Sequence, residues 1–271
     1  MAADLATNLW DDAGRDILTG RIVALAREAG ALGVLPSALD RRAAYCVDAG
    51  DLADAAEAYD EAEAIRQATG MEPGRGGLGR LAALRDQESA AAEHIERLRG
   101  EPGVGDAANR AATLEYALAL LYNGLARYPE ALAAAQRSRE RHPAGGFGQA
   151  LAELVEAAVR CHQPEVGEAV LEGLGTRVRL GGKDWGLGVE ARSRALLADG
   201  EAAEELYAEA IERLSRTAMR LPLARAHLVY GEWLRRQRRR GEARTQLRAA
   251  HDLFEAMGAR SFAARAAARS P

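Results

Sequence analysis

Residues 39–70, LDRRAAYCVDAGDLADAAEAYDEAEAIRQATG, decide the fold of this chain. The stretch predicts one helix, a turn at Gly50, and a second helix. Ala43 in the first helix and Ala55 in the second are small enough to let the two helices approach closely. Tyr59 follows Ala55 by four residues and therefore lies on the same helix face. The pattern predicts an antiparallel pair of α-helices.

The same pattern returns along the chain, and with two weaker units at about residues 76–99 and 149–174 the second helices follow one another at roughly 34 to 40 residues. The later pairs of small residues are Ala119 and Ala131, Ala191 and Ala203, and Gly231 and Ala243. Such spacing is typical of tetratricopeptide-like repeats, in which each helix pair stacks on the next. We predict an all-α fold: a right-handed superhelical solenoid of tetratricopeptide-like antiparallel helix pairs, forming a single domain over residues 1–271. The predicted repeats span approximately residues 1–30, 36–70, 76–100, 107–143, 148–176, 184–216 and 222–258, followed by a C-terminal helix at 260–270.

Glycine-rich segments are predicted to form the loops between repeats. They are residues 70–79, 100–105, 143–148 and 181–188. Turns within repeats are predicted at residues 86–87 and 163–164. The helical pattern resumes in the same style after each segment, so none of them is interpreted as a domain boundary.

The composition narrows the class of protein. Aromatic residues make up 5% of the chain and the net charge is −4, so nothing draws the whole chain to nucleic acid or to an acidic membrane. The two cysteines are far apart in sequence, which argues against a disulfide framework. The N-terminus lacks a signal peptide pattern and no apolar run reaches the length of a membrane helix. We expect a soluble, cytoplasmic protein. Lys183 is the single lysine, which suggests a GC-rich, actinobacterial genome.

No motif predicts catalysis or a cofactor. Residues 74–79, GRGGLG, match the dinucleotide fingerprint, but a predicted helix precedes them where that fingerprint needs a strand. Arg80 and Leu81 stand where a phosphate-binding loop needs Lys and Ser or Thr. The five histidines show neither helical pairing nor zinc spacing. We therefore expect no catalytic residues, no metal and no cofactor, although two carboxylates brought together by folding remain an open alternative.

The densest basic segment is residues 235–240, RRQRRR. It is interpreted either as a contact for DNA phosphates or an acidic partner, or as a charged turn partly neutralised by Glu232 and Glu242. The turn is favoured, because no aromatic or base-reading polar residues interleave with the arginines.

The concave face of a tetratricopeptide-like stack is the predicted binding surface, because the first helix of each pair lines it. The residues predicted to face this groove are Asp40, Ala44, Tyr116, Leu120, Asn123, Leu154, Ala158, Trp185, Arg192, Arg225, Glu232 and Arg235. Trp185, Arg192, Arg225 and Glu232 are predicted to bind the ligand or partner, with Tyr116 and Asn123 opposite them. For Trp185 an equal alternative is that it seals a junction between repeats.

Five stretches carry a family resemblance that spans nearly the whole chain. They are residues 26–36 (AREAGALGVLP), 123–128 (NGLARY), 150–158 (ALAELVEAA), 184–197 (DWGLGVEARSRALL) and 224–236 (ARAHLVYGEWLRR). Together they resemble the tetratricopeptide-like helical region of large ATP-binding LuxR-family transcriptional regulators of actinobacteria. In that family a P-loop ATPase precedes the helical region and a DNA-binding helix-turn-helix follows it; this sequence contains neither.

The resemblance implies a regulatory role without catalysis. We expect a non-catalytic interaction module that binds a protein partner or a small-molecule inducer in the concave groove, and that binds no nucleic acid by itself and no membrane. A free-standing small-molecule-binding protein is the alternative, followed by an enzyme that has recruited the groove. Whether the chain is an excised piece or a free-standing relative stays open, as does homodimerisation through the end hairpins.

Overall fold

The fold, seen in a computed structural model, is all-α across the residues that the structure describes, which are 2–74, 77–85, 88–100, 107–141 and 148–268. No strand occurs in these ranges. The helices are α1 (Ala2–Asn8), α2 (Asp12–Glu28), α3 (Leu35–Ala49), α4 (Leu52–Thr69), α5 (Leu78–Arg85), α6 (Glu88–Gly100), α7 (Ala107–Gly124), α8 (Tyr128–Arg141), α9 (Gly148–Arg160), α10 (Pro164–Gly181), α11 (Asp184–Leu197), α12 (Gly200–Ser215), α13 (Arg220–Arg236), α14 (Arg240–Met257) and α15 (Arg260–Ala268). Among them, none combines the length and the apolar character that crossing a bilayer requires.

The pair α3–α4 shows how the repeated pattern packs. Ala43 and Ala55 are both completely buried between the two helices, as the small residues predict. Gly50 ends α3 in the left-handed conformation with φ +85°, which costs glycine little. The amide of Asp51 then donates to the carbonyl of Cys46 at 2.8 Å and fixes the reversal.

Helices α4, α12 and α14 carry a single buried stripe, as amphipathic surface helices do. Helices α9, α11 and α13 are instead buried over most of their circumference. On α13, for example, residues 224–226 and 228–234 are all buried. The second class therefore lies inside the molecule, with neighbours on every side.

The glycine-rich segment at residues 181–188 is not a loop. Helix α10 ends at Gly181, beyond the predicted repeat end at residue 176, and α11 begins at Asp184. Gly188 lies within α11. A Cβ at this position would come within 2.6 Å of Cγ of Leu214, so the glycine allows α11 and α12 to pack closely and does not form a turn. The predicted turn at 86–87 lies outside the described residues, as do most of the predicted loops at 100–105 and 143–148.

The ends of the chain pack onto the interior helices. Helix α3 contacts α13, and the C-terminal helix α15 contacts α5 and α7. Arg220, the first residue of α13, donates from Nε to the carbonyl of Ala49 at 2.9 Å and pairs with Asp51. Helices from the first part and from the end of the chain therefore contact helices that are distant in sequence. The superhelical course and its handedness stay predictions.

Candidate functional site

The six residues predicted to bind a ligand or partner are all buried, with at most 4% of their surface exposed. They are Tyr116, Asn123, Trp185, Arg192, Arg225 and Glu232. Tyr116 borders the larger cavity described below, and Arg192 and Arg225 border the smaller one. The binding role of all six residues stays a prediction.

Of the six other predicted groove residues, Arg235 is half-buried near the end of α13, and the remaining five border cavities or lie in the core. Asp40 and Ala44 line a cavity that opens to solvent, here called the larger cavity, and Leu120 lines a second one, here called the smaller cavity. Leu154 and Ala158 are completely buried in the hydrophobic core.

Trp185 packs in the first turn of α11. Its ring is completely buried and meets Trp10 edge-to-face, with 4.8 Å between the ring centroids. The guanidinium of Arg15 lies 5.7 Å from the same ring. Trp185 thus joins helices that are far apart in sequence, which is the geometry of a residue that seals a junction.

A group of charges, here called the central ion cluster, has five buried members and Arg160 at its edge. The buried members are Glu153, Glu156, Arg225, Glu232 and Arg265. Arg225 binds Glu153 through two parallel hydrogen bonds of 2.8 and 2.9 Å and reaches Glu156 at 2.5 Å. Arg265 binds Glu232 through two bonds of 2.9 Å and Glu156 at 2.8 Å. Such bidentate pairing is the strong form of an arginine–carboxylate contact.

Asn123 and Arg160 complete the central ion cluster. Asn123 donates from Nδ2 to Glu153 Oε2 at 2.8 Å, and its backbone carbonyl accepts a hydrogen bond from Arg265 at 2.8 Å. Arg160 pairs with Glu232 from the partly exposed side. Three carboxylates therefore face three guanidinium groups, and each charge in the cluster has an opposite charge beside it.

The pKa values in the central ion cluster follow from this pairing. Burial disfavours the ionised form of Glu156, but Arg225 and Arg265 outweigh burial and hold its pKa well below the ordinary 4.5. Glu232 behaves in the same way under Arg265 and Arg160. These carboxylates are fixed anions at neutral pH and poor proton acceptors.

The larger cavity has a volume of about 440 Å³ and lies among α1–α5, α7 and the start of α9. Buried Arg15, Tyr59 and Arg80 form part of its wall. Asp4 and Arg41, whose side chains are 53% and 41% exposed, lie at its solvent side. The volume falls within the range of small-molecule sites.

The Asp48 triad, which consists of Arg15, Asp48 and Arg80, borders both cavities. Arg15 contacts one carboxylate oxygen of Asp48 at 2.5 Å and Arg80 contacts the other. Burial opposes ionisation of Asp48, but the two arginines outweigh it and lower its pKa. Within the described part of the chain, Nε of Arg80 has no hydrogen-bond partner.

The smaller cavity, of about 30 Å³, is bordered by Arg192 and Arg225 and shares Tyr116 and Gln149 with the larger one. Arg192 is 3% exposed, and its Nε has no hydrogen-bond partner among the residues that the structure describes. Burial, together with repulsion from Arg225, lowers the pKa of Arg192 to about 10. Its guanidinium is therefore charged at neutral pH.

Several of the charged residues at the centre were absent from the predicted site. Glu153 and Glu156 are the only polar residues between Ala150 and Val159 of α9, and Arg265 is the only charge between Ser261 and Ala268. An isolated charge within an apolar run is the signal that could have identified them, and Arg80 in α5 carries the same signal. Arg15 and Asp48 gave no such signal, because α2 and α3 carry several charges.

The basic segment at residues 235–240 forms the end of α13 and the turn to α14. Arg239 pairs with Glu204 at 2.6 Å and with Glu242 at 2.5 Å. Glu232, expected to neutralise this segment, instead binds Arg160 and Arg265 inside the molecule. Among the described residues, no cluster of three or more His, Cys, Asp or Glu side chains is placed to hold a metal.

No protein-family model matches the chain, and no curated protein matches it.

Proposed function

We propose that this chain is a non-catalytic binding module that recognises a small molecule in the larger cavity. The supporting observation is the cavity of about 440 Å³ itself, with buried arginine and tyrosine side chains on one side and partly exposed residues on the other. Sites for small molecules combine this size with a few buried polar groups. The proposal accords with the resemblance to the sensor region of LuxR-family regulators, in which an inducer would be the ligand.

Ligand binding would act through the packing of helices. The cavity wall includes Asp40 and Ala44 of α3 and Thr113 and Tyr116 of α7, and α3 also packs on α13. A ligand that contacts both sides favours the conformation in which α1–α3 lie closed against α5 and α7. The ligand would thereby shift the population of that conformation, which attached or partner domains would sense.

Catalysis is not part of the proposal. Asp48, the buried carboxylate between the cavities, is held as an ion by Arg15 and Arg80, and its lowered pKa makes it a weak base. A general base works best with a pKa near the operating pH.

A thermal-shift screen of small metabolites tests the proposal, with a variant whose cavity is filled. At a hundredfold excess over Kd, a ligand that binds only the folded state adds about 2.7 kcal/mol of stability. For a chain of this size we expect a rise in Tm of roughly 5–10 °C. Ala44→Phe should abolish the rise, because Ala44 lines the cavity. Ala53→Phe, the same change at an exposed alanine of α4, should leave it intact.

Two results would contradict the proposal. One is a screen in which no compound shifts the Tm of the wild type. The other is a ligand or protein partner that binds the Ala44→Phe variant as tightly as the wild type, since binding would then lie elsewhere.

A further inference from the structure

The balance of charge differs between the two cavities and the central ion cluster. In the cluster, each of Arg160, Arg225 and Arg265 has a carboxylate beside it, and each carboxylate has at least one arginine. This arrangement is electrically neutral, so it leaves no demand for a counter-ion.

The Asp48 triad is not neutral. Arg15 and Arg80 are 4% and 7% exposed, and both pair with the single carboxylate of Asp48. Arg66, the third buried arginine at the larger cavity, has its own carboxylate, Asp40. One positive charge is therefore in excess at this wall, where Nε of Arg80 lacks a partner among the described residues.

Arg192 supplies a second excess positive charge. Arg225 repels it, and Glu153 and Glu156, which attract it, are already bound by Arg225. Its Nε has no hydrogen-bond partner in the described part of the chain, and its side chain borders the smaller cavity. An arginine that is 97% buried normally has a partner, because an unpaired buried charge strongly destabilises a fold.

The two excess charges border adjoining cavities. Tyr116 and Gln149 border both cavities, and Asp48 of the triad borders the smaller cavity together with Arg192. An acidic group placed at this shared wall would interact favourably with both charges, in surroundings with little water to screen them.

We propose that the larger cavity takes an anionic small molecule carrying a carboxylate or a phosphate, and that Arg192 and the Asp48 triad supply the charge that recognises it. The inference rests on the proposed function and specifies its ligand. Guanidinium groups bind both acidic groups through paired N–H donors, so the two share one recognition chemistry. Tyr59 and Tyr116 provide surface for the uncharged body of the molecule.

Arg192→Met and Arg194→Met form the matched pair of variants. Both positions lie on α11, but Arg192 is buried and Arg194 is exposed. The probes are succinate and inorganic phosphate, with the uncharged succinamide as control, at constant ionic strength. Tm and calorimetric titration are the measurements.

For the wild type and Arg194→Met we expect a saturable rise in Tm with succinate or phosphate and none with succinamide. For Arg192→Met the apparent affinity for the anion should fall at least tenfold. Without anion, its Tm should equal that of the wild type or exceed it by about 2–4 °C, because an uncompensated buried charge has been removed. A purely structural arginine would give a lower Tm. Arg192→Lys keeps the charge and should keep the response.

An anion response that persists in Arg192→Met, or that succinamide matches, would overturn the inference. So would a marked loss of stability in anion-free Arg192→Met, since Arg192 would then be structural. If Arg192→Met fails to fold, the test uses the wild type and Arg192→Lys. A saturable rise in Tm with the anions in both supports the inference, and its absence overturns it. Binding of neutral metabolites without any binding of anions would overturn the ligand class alone, whereas no response to any compound would overturn the proposed function too.

Discussion

The central ion cluster and the Asp48 triad use the same chemical groups, buried arginines and carboxylates, in different proportions. In the cluster, Glu153, Glu156 and Glu232 balance three arginines. In the triad, Asp48 is shared by Arg15 and Arg80, and Arg192 nearby has no carboxylate of its own. A balanced buried cluster satisfies itself and fixes how α9, α13 and α15 pack. An unbalanced one beside a cavity is instead poised for a ligand of opposite charge.

Removing one partner from the balanced region should have the largest effect. Arg265→Met leaves the buried carboxylates of Glu156 and Glu232 with fewer counter-charges. We expect the free energy of unfolding to fall by about 3–5 kcal/mol. Urea unfolding measures it, and Arg260→Met, at an exposed position of the same helix, should stay within about 0.5 kcal/mol of the wild type. A small loss for Arg265→Met would show that the cluster does not hold α15 in place.

Acid should weaken the balanced region in a defined pH window. Folding lowers the pKa of Glu156 and Glu232 below the ordinary 4.5. The contribution of these two carboxylates to the free energy of unfolding is therefore fully present above about pH 4.5 and is lost as the pH falls further. Each unit by which folding lowers a pKa corresponds to about 1.4 kcal/mol.

Unfolding followed in urea from pH 7 to pH 3 measures this dependence. Glu156→Gln should flatten it, whereas Glu255→Gln, at an exposed position of α14, should not. A wild type whose stability is independent of pH down to 3 would contradict the assigned ion pairs.

The smallest effect is expected at a surface pair that resembles the buried ones only in distance. Arg27 contacts Glu61 at 2.5 Å, but the two side chains are 54% and 39% exposed. Solvent screens such a pair, so Arg27→Ala should lower the free energy of unfolding by less than about 1 kcal/mol. Thermal unfolding in low and high salt is the measurement. A loss of stability comparable to that of Arg265→Met would mean that the strength of an ion pair does not depend on its burial.

The helices and their pairing could be predicted from sequence. Ala43 and Ala55, like Ala203 and Tyr207, identify helix faces that must meet, and all four are completely buried. Helical periodicity carries this information because it places residues three and four apart on one face. The loop predicted at residues 181–188 was wrong for most of its length, because α11 begins at Asp184. Glycines that allow two helices to pack closely cannot be distinguished in the sequence from glycines of a loop.

The candidate site could be predicted only in part. Tyr116 and Arg192 belonged to the predicted groove and do border the cavities, whereas Trp185 packs against Trp10 instead. Periodicity says which side of a helix a residue occupies but not what covers that side. The covering helices come from the two ends of the chain, and their contacts with the interior leave no local pattern.

The sequence by itself therefore determined that this protein is a succession of helix pairs joined by short turns, because small residues and turn glycines act over a few positions. Only the tertiary structure decided that the six residues of the predicted site are buried, that Arg225 and Arg265 are matched by carboxylates, and that Arg192 is not. The physical reason is that electrostatic balance in a protein interior depends on groups brought together from distant parts of the chain, such as Arg225 and Glu153, which are 72 residues apart.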